Sequence, residues 1–281
     1  MRTYIKTMLL LVGIVVSSCE DVIDVPVQSG QIRLTVEASI DWEKGTTGNN
    51  QTITLRNSTE FFDTSSNTAV TGATVKITND TDGTEFTFVD QHNGDYTTTE
   101  FVPAIGQSYT LEIGYQGAVY TAQESMKSVT DVNDVYQAIE DGFNNEELEA
   151  HIVFHDPVDE HNYYLFKFRK QGDLLPAFEV ADDQFVNGNE LDWWYEINED
   201  EDTEKIEAFR PGDVLAVEMY GISSAYYHYM SILIEQIGGV GLFQATPVSV
   251  KGNVVNQTNA DDYANGYFRL SQVNKLSYTF E

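Results

Sequence analysis

One cysteine, six prolines and 15 basic residues are all that this 281-residue chain carries of those types. A single cysteine, Cys19, excludes any intramolecular disulfide, so stability has to come from packing rather than covalent staples. Lys and Arg number 15 against 45 Asp and Glu, a formal net charge of −30. A field of that sign repels phosphate backbones and anionic headgroups, which excludes nucleic-acid binding. It tolerates cationic partners and divalent metals, although acidity is equally the ordinary way an exported protein stays soluble. No apolar run approaches the roughly 20 residues that a helix needs to cross a bilayer. There is no Gly-x-Ser-x-Gly elbow and no glycine-rich phosphate loop between a strand and a helix. With 45 acids in the chain, a pair of carboxylates distinguishes nothing.

What is present begins at the N-terminus. Arg2 and Lys6 precede an apolar run from Met8 to Val16, followed by Ser17, Ser18 and Cys19. Charged, apolar and small segments in that order make a secretory signal, so residues 1–18 are set aside from fold reasoning. The ending Val16-Ser17-Ser18-Cys19 resembles a bacterial lipobox, in which the cysteine sulfur receives a diacylglycerol and the new amino terminus a further acyl chain such as palmitate. Cys19 is then the lipidation site and membrane lipid its partner, because several chains on one residue exceed the marginal hold of a single chain. The alternative is an ordinary export signal with a cysteine that is buried as a small hydrophobe. Glu20, Asp21 and Asp24 resemble the acidic signal that sends some lipoproteins of the Bacteroidota to the outer face of the outer membrane; the simpler alternative is a solvated linker. Residues 19–30 are expected to be this lipidated acidic linker. An acylated Cys19 leaves no thiol nucleophile.

From Gln31 to about Met126 the sequence alternates in short runs cut by turn residues. QIRLTVEASI places Ile32, Leu34 and Val36 on one face, the period of two that marks a half-buried strand. Asp82-Gly83 and Asn93-Gly94 accept positive φ and close two-residue hairpins. An antiparallel, immunoglobulin-like β-sandwich is expected over 31–127. TNDTDG also invites a calcium reading, but Thr78 and Val89 stand where an EF-hand loop needs its first and last ligands, so these are turns.

Residues 128–281 read as a second, β-rich sandwich or barrel with one packed α-helix, so the fold class is mostly β. HIVFH and YYLFKFRK carry apolar residues on both parities, as strands covered on both faces do. The helix is SSAYYHYMSILIEQI, capped by Ser223 or Ser224, with Tyr226, Tyr229, Leu233 and Ile237 on one stripe and Gly238-Gly239 as its stop.

Several of these segments in order carry a resemblance. Gly212-Asp213-Val214, AVEMYGIS, AYYHYM, LFQATPVSVKGNVVN and Gly266-Tyr267-Phe268 resemble the closing motifs of a lipoprotein family of the Bacteroidota, domain-of-unknown-function family four-two-four-nine. Cys19-Glu20, LTVEASI, GATVKITND and GDYTTTEFVPAIGQSYTLEI are similar to its opening motifs, except that Ala38 stands where the family favours glycine. The resemblance implies an outer-membrane lipoprotein that acts beside a TonB-dependent transporter, with no catalytic residues to carry over.

Two constellations remain as sites. His151, His155, Asp156 and His161 suggest a metal, yet His151 and His155 on one strand face stand about 13 Å apart at ~3.3 Å per residue, too far for one ion. A bend at Pro157 that gathers His155, Asp159 and His161 is the remaining metal arrangement; ordinary surface and turn residues are the alternative. Trp193, Trp194 and Tyr195 lie between Asp182-Asp183 and the acidic run from Glu199 to Glu204. Adjacent tryptophans in a strand point to opposite faces, so one is available for a partner or ligand, unless one fills the core and the other shields it. The expectation is therefore a binding or accessory protein, not an enzyme and without a cofactor. The alternatives are a surface metal-dependent hydrolase and a structural adhesin or assembly lipoprotein.

Overall fold

In the computed structural model, residues 30–60, 63, 65–140, 142, 146–158, 160–197, 208–238 and 249–281 are described. Cys19 and the acidic linker up to Ser29 lie outside them.

Seven strands come first: β1 (Leu34–Glu43), β2 (Gln51–Asn57), β3 (Thr74–Asn79), β4 (Glu85–Asp90), β5 (Asp95–Thr98), β6 (Ser108–Tyr115) and β7 (Ala118–Ser125). One layer runs β1-β2-β5-β4 and the other β3-β6-β7, which is the strand order of an immunoglobulin constant-type sandwich. β4 belongs to both layers, pairing Glu85–Phe88 with β3 and Val89–Asp90 with β5. Alternation decides what is buried: Leu34, Val36, Ala38 and Ile40 of β1 face Val75, Ile77, Leu111 and Ile113 across one core. Ile32, expected on that face, lies before β1 begins and is 64% exposed. At the start of β6 the buried Tyr109 hydroxyl donates to Val102 O at 3.0 Å and accepts Ala104 N–H at 3.0 Å, a tyrosine corner of the kind these sandwiches use.

Both turns read as hairpins close hairpins, but with longer loops than two residues. Asn79 and Thr84 bracket Asp80–Gly83, and Gln91 and Asp95 bracket His92–Gly94. Asp82 and Asn93 each accept a backbone N–H two residues on. Those side-chain bonds stabilise a wider turn than the dipeptide alone requires.

The remaining strands are β8 (Val132–Ala138), β9 (Glu149–His155), β10 (Tyr163–Lys170), β11 (Ala177–Asp182), β12 (Glu190–Tyr195), β13 (Val214–Ile222), β14 (Val255–Asn256) and β15 (Asn265–Thr279), with helix α1 (Ser224–Gly238) between β13 and β14. A three-stranded sheet, β12-β9-β8, packs on β11-β10-β13-β15. Residues alternate across β10: Tyr164, Phe166 and Phe168 enter the core between these sheets, while Leu165 points the other way, under α1. Both faces of β10 and β13 are therefore covered, which is why their sequences are apolar on both parities.

Ser223 caps the helix, its Oγ accepting the Tyr226 N–H at 3.2 Å. Tyr226 and Met230 are buried against the sheet and Tyr229 and Leu233 half-buried, but Ile237 is 84% exposed, so the last turn leaves the stripe.

β15 crosses the linear division at residues 127/128. Asn265–Val273 pairs parallel with β1, and Val273–Thr279 pairs antiparallel with β13. The strand completes the first sandwich and then the second, and Phe268 and Leu270 lie in the first core. Entry into that pairing is tight. Gly266 has φ +93°, and a Cβ there would stand 2.0 Å from Val36 O, so no side chain fits.

Candidate functional site

Among the described residues β11 is one edge strand of the large sheet and β12 one edge strand of the three-stranded sheet. The second sandwich is therefore open on the side where the two face each other. Trp193 joins the layers: its ring stacks on Phe166, 5.2 Å away and nearly parallel, and its Nε1–H donates to Glu179 Oε2 at 2.7 Å. Tyr195, two residues on and so on the same face, stacks on Phe168 at 4.0 Å. Trp194 points the other way and is half-buried. Alternation thus splits the three aromatics: Trp193 and Tyr195 pack against the core and Trp194 does not.

Above Trp193 a groove of about 810 Å³ runs between β11, β12 and the underside of α1. Phe178, Val180, Leu191, Trp193, Trp194 and Ile234 supply its apolar walls. The charged groups along it are Glu179, Asp182, Asp192, Glu196 and Glu235, and none of the described residues that line it is basic. Burial pushes the Glu179 carboxyl up, the Trp193 N–H pulling it part of the way back. Tyr195 stands outside the groove, and burial, followed by the charges of Glu179 and Asp173, pushes its phenol up to about 12. An aromatic floor with an acidic rim suits an apolar or ring-bearing group that is neutral or positively charged.

The histidines separate into different environments. His151 is buried between Ala150 and Ile152 but on the opposite face of β9. Its Nδ1 is 2.8 Å from Asp192 Oδ1, its Nε2 is 3.1 Å from Glu149 Oε1, and its ring stacks on Tyr136 at 4.6 Å. His155 ends β9 exposed. His161 Nε2 is 3.0 Å from Asp183 Oδ1, with its ring stacked on Tyr163. Asp156 is buried and accepts the Tyr164 hydroxyl and the Gly188 N–H. Asp159 lies outside the described residues. Among the described residues no group of three or more His, Cys, Asp or Glu side chains is arranged to hold a metal ion.

Phe178, Glu179 and Val180 were not legible as site residues. Nothing local in AFEVAD marks a site, and only its place at the sheet edge opposite β12 turns it into a wall. Among the described residues no helix is long and apolar enough to cross a membrane.

Over residues 20–277 the chain matches the family described as Domain of unknown function (DUF4249). It belongs to that family. The DUF4249 match spans both sandwiches and all of the shared pairing between β1 and β15, so the family unit is the joined pair rather than either half. No curated protein matches this DUF4249 chain. Solved structures similar to it include a two-domain fibronectin type-III segment of chicken tenascin (12% identity, 68% of this chain and 91% of that one, TM-score 0.21). A DUF4785 family protein of Legionella pneumophila (12% identity, 67% and 52%, TM-score 0.25) and the FN1–FN3 domains of chicken CNTN1 (10% identity, 69% and 64%, TM-score 0.27) are others. At these TM-scores the likeness adds nothing to the strand pairings, which define the DUF4249 fold here by themselves.

Proposed function

We propose that this DUF4249 member is a lipid-anchored binding and accessory protein of a Bacteroidota outer membrane, exposed at the cell surface and assisting a TonB-dependent transporter in nutrient uptake. It performs no catalysis in this reading, and the groove between β11, β12 and α1 is its contact surface. That groove is the observation that carries the proposal: aromatic, acid-rimmed and without a lining cation among the described residues. Exposed apolar side chains in the loops beside β11 support it, with Leu174 92%, Leu175 76% and Phe185 89% exposed. Large exposed apolar groups rimmed by charge mark interaction sites. The lipobox-like Val16-Ser17-Ser18-Cys19 supports the anchor.

Co-purification of the intact lipoprotein from native membranes tests this. A large β-barrel transporter is expected with the wild-type chain. Trp194→Ala is expected to weaken its recovery about tenfold, as a well-packed interface aromatic does, with little change in melting temperature. Trp193→Ala is a poor probe, since its ring packs on Phe166 and its N–H is bonded to Glu179. A clean preparation without a barrel overturns the accessory role, and mass spectrometry that finds an unmodified Cys19 thiol overturns the anchor.

A further inference from the structure

Arg269 lies in the middle of β15 between Phe268 and Leu270, both of which enter the first core. Alternation turns the arginine to the opposite face, beneath α1, where it is 5% exposed. Its Nη2 is 2.7 Å from Asp41 Oδ1. The guanidinium lies over the rings of Tyr220 at 4.6 Å and Tyr226 at 5.4 Å. Its other two nitrogens, Nε and Nη1, are buried without a hydrogen-bond partner. Each such donor costs about 1–3 kcal/mol when left unmade, and more on a charged group. A buried ion pair that lacks its remaining bonds is a poor stabiliser, which makes a purely structural role for this arginine uneconomical.

Arg269 lines a cavity of about 510 Å³ between α1 and the sheet, within the size range of small-molecule sites. Tyr229, Tyr267 and Leu233 wall it, and the exposed Glu37 and Ser39 stand at its mouth. Phe178 lines both this cavity and the Trp193 groove, and so divides them.

The lining selects the chemistry of an occupant. Arg269 has donors to spare, so the occupant brings oxygen acceptors. It does not need negative charge: Asp41 balances Arg269, Lys167 Nζ is 3.1 Å from Glu218 Oε2, and Glu37 adds a further acid. A carboxylate or phosphate entering there meets Asp41 and Glu37 as like charges. Asp41 beside Arg269 is an acceptor next to a donor, and the group that uses both at once is a hydroxyl. The half-buried rings of Tyr229 and Tyr267 offer apolar surface to the C–H face of a ring.

We propose that the cavity beneath α1 binds a small, neutral, polyhydroxylated ring, the size of one sugar unit, whose oxygens accept from Nε and Nη1 of Arg269 while a hydroxyl donates to Asp41. The site involves neither Cys19 nor Trp194, so it holds or fails independently of the accessory role.

The test follows the Arg269 Nε–H and the Trp194 indole N–H by NMR in the full chain, with glucose, galactose, mannose, xylose and N-acetylglucosamine as probes and acetate and inorganic phosphate as the anionic arm. At least one sugar is expected to shift the Arg269 signal saturably at millimolar concentration, leaving the Trp194 signal in place. Ser39→Trp, at the exposed mouth, is expected to weaken that binding about tenfold or more, equivalent to about 1.4 kcal/mol, with an unchanged melting temperature. Arg269→Lys, which removes the Nε and Nη1 donors, is expected to abolish the binding, and Ser39→Trp serves in its place should that variant fold poorly. The proposal is overturned if no sugar moves the Arg269 signal, if only the anions do, or if Ser39→Trp binds sugar as the wild type does.

Discussion

The two sandwiches bury different kinds of polar side chain. Among the described residues the buried polar groups of the first are Gln51, Asn79, Thr98 and Asn256; in the second they include Glu149, His151, Asp156, Asp183 and Glu196, with Arg269 and Ser271 on the strand the two share. The first set is neutral and serves the chain's own backbone: Gln51 Nε2 donates to Asp41 O and Gly48 O, and Asn79 Oδ1 accepts the Thr81 N–H. The second set is ionisable. Burying a neutral amide that is fully bonded contributes modestly to stability, whereas burying a charge costs unless its partners are in place. Of these, Glu196 lines the groove between β11 and β12 and Arg269 lines the cavity beneath α1, so under the proposed binding role the second sandwich makes the contact and the first supports it. The two halves are not separate, because β15 is a structural member of both.

If the two halves are joined through β15, unfolding one disturbs the other. Phe166→Ala removes a fully buried ring from the second core and is expected to cost about 3–5 kcal/mol in urea unfolding. Through β15 the loss should reach the first sandwich, so the amides of β1 and β2 are expected to exchange hydrogen faster to the same degree. Unchanged protection there would show two independent domains.

Tyr109→Phe sharpens the supporting role of the first half. It leaves Ala104 N–H and Val102 O without the hydroxyl that bonds both, at an expected cost of about 1.5 kcal/mol. Co-purification with a transporter is expected to be untouched. A loss of partner at full stability would move the contact surface to the wrong sandwich.

The smallest effect depends on pH and belongs to the second half. Burial by itself lowers the affinity of His151 for its proton, but the carboxylates of Glu149 and Asp192 outweigh burial and the net shift is upward from 6.5. A histidine whose folded pKa is raised binds its proton more tightly folded than unfolded. Its contribution is thus complete below pH 6.5 and declines as pH climbs through the folded value. His151→Gln is expected to lose more melting temperature in mildly acidic than in alkaline buffer. A pH-independent difference would mean that the ring acts through packing on Tyr136 alone.

Much of this architecture was legible in the residues, and the misses share a cause. The strands of the first sandwich follow from alternation and turn residues, both local. The helix was legible from Ser223 to Leu233, while Ile237 was misplaced because a periodic stripe continues past the point where the sheet beneath it ends. Trp193, Trp194 and Tyr195 could be sorted onto two faces by parity, but which face held the core depended on Phe166 and Phe168 of another strand. His151 is a metal candidate by residue type, although its spacing from His155 counts against one, and becomes a carboxylate-clamped core residue only through Asp192, 41 positions away. Arg269 was not legible as a site residue, and nothing nearby in the chain announces Asp41 as its partner.

The amino-acid order by itself determined the strand periods, the turn sites, the acidic field, the absence of cross-links and the motifs that place the chain in its family, since each of these acts over a few residues or over none in particular. Only the tertiary structure decided that β15 is common to both sandwiches, that β11 and β12 face each other across a groove, and that a guanidinium is buried with two donors unmade. Those are matters of register between segments far apart in the chain, and register is set by the packing of whole sheets rather than by any stretch within them.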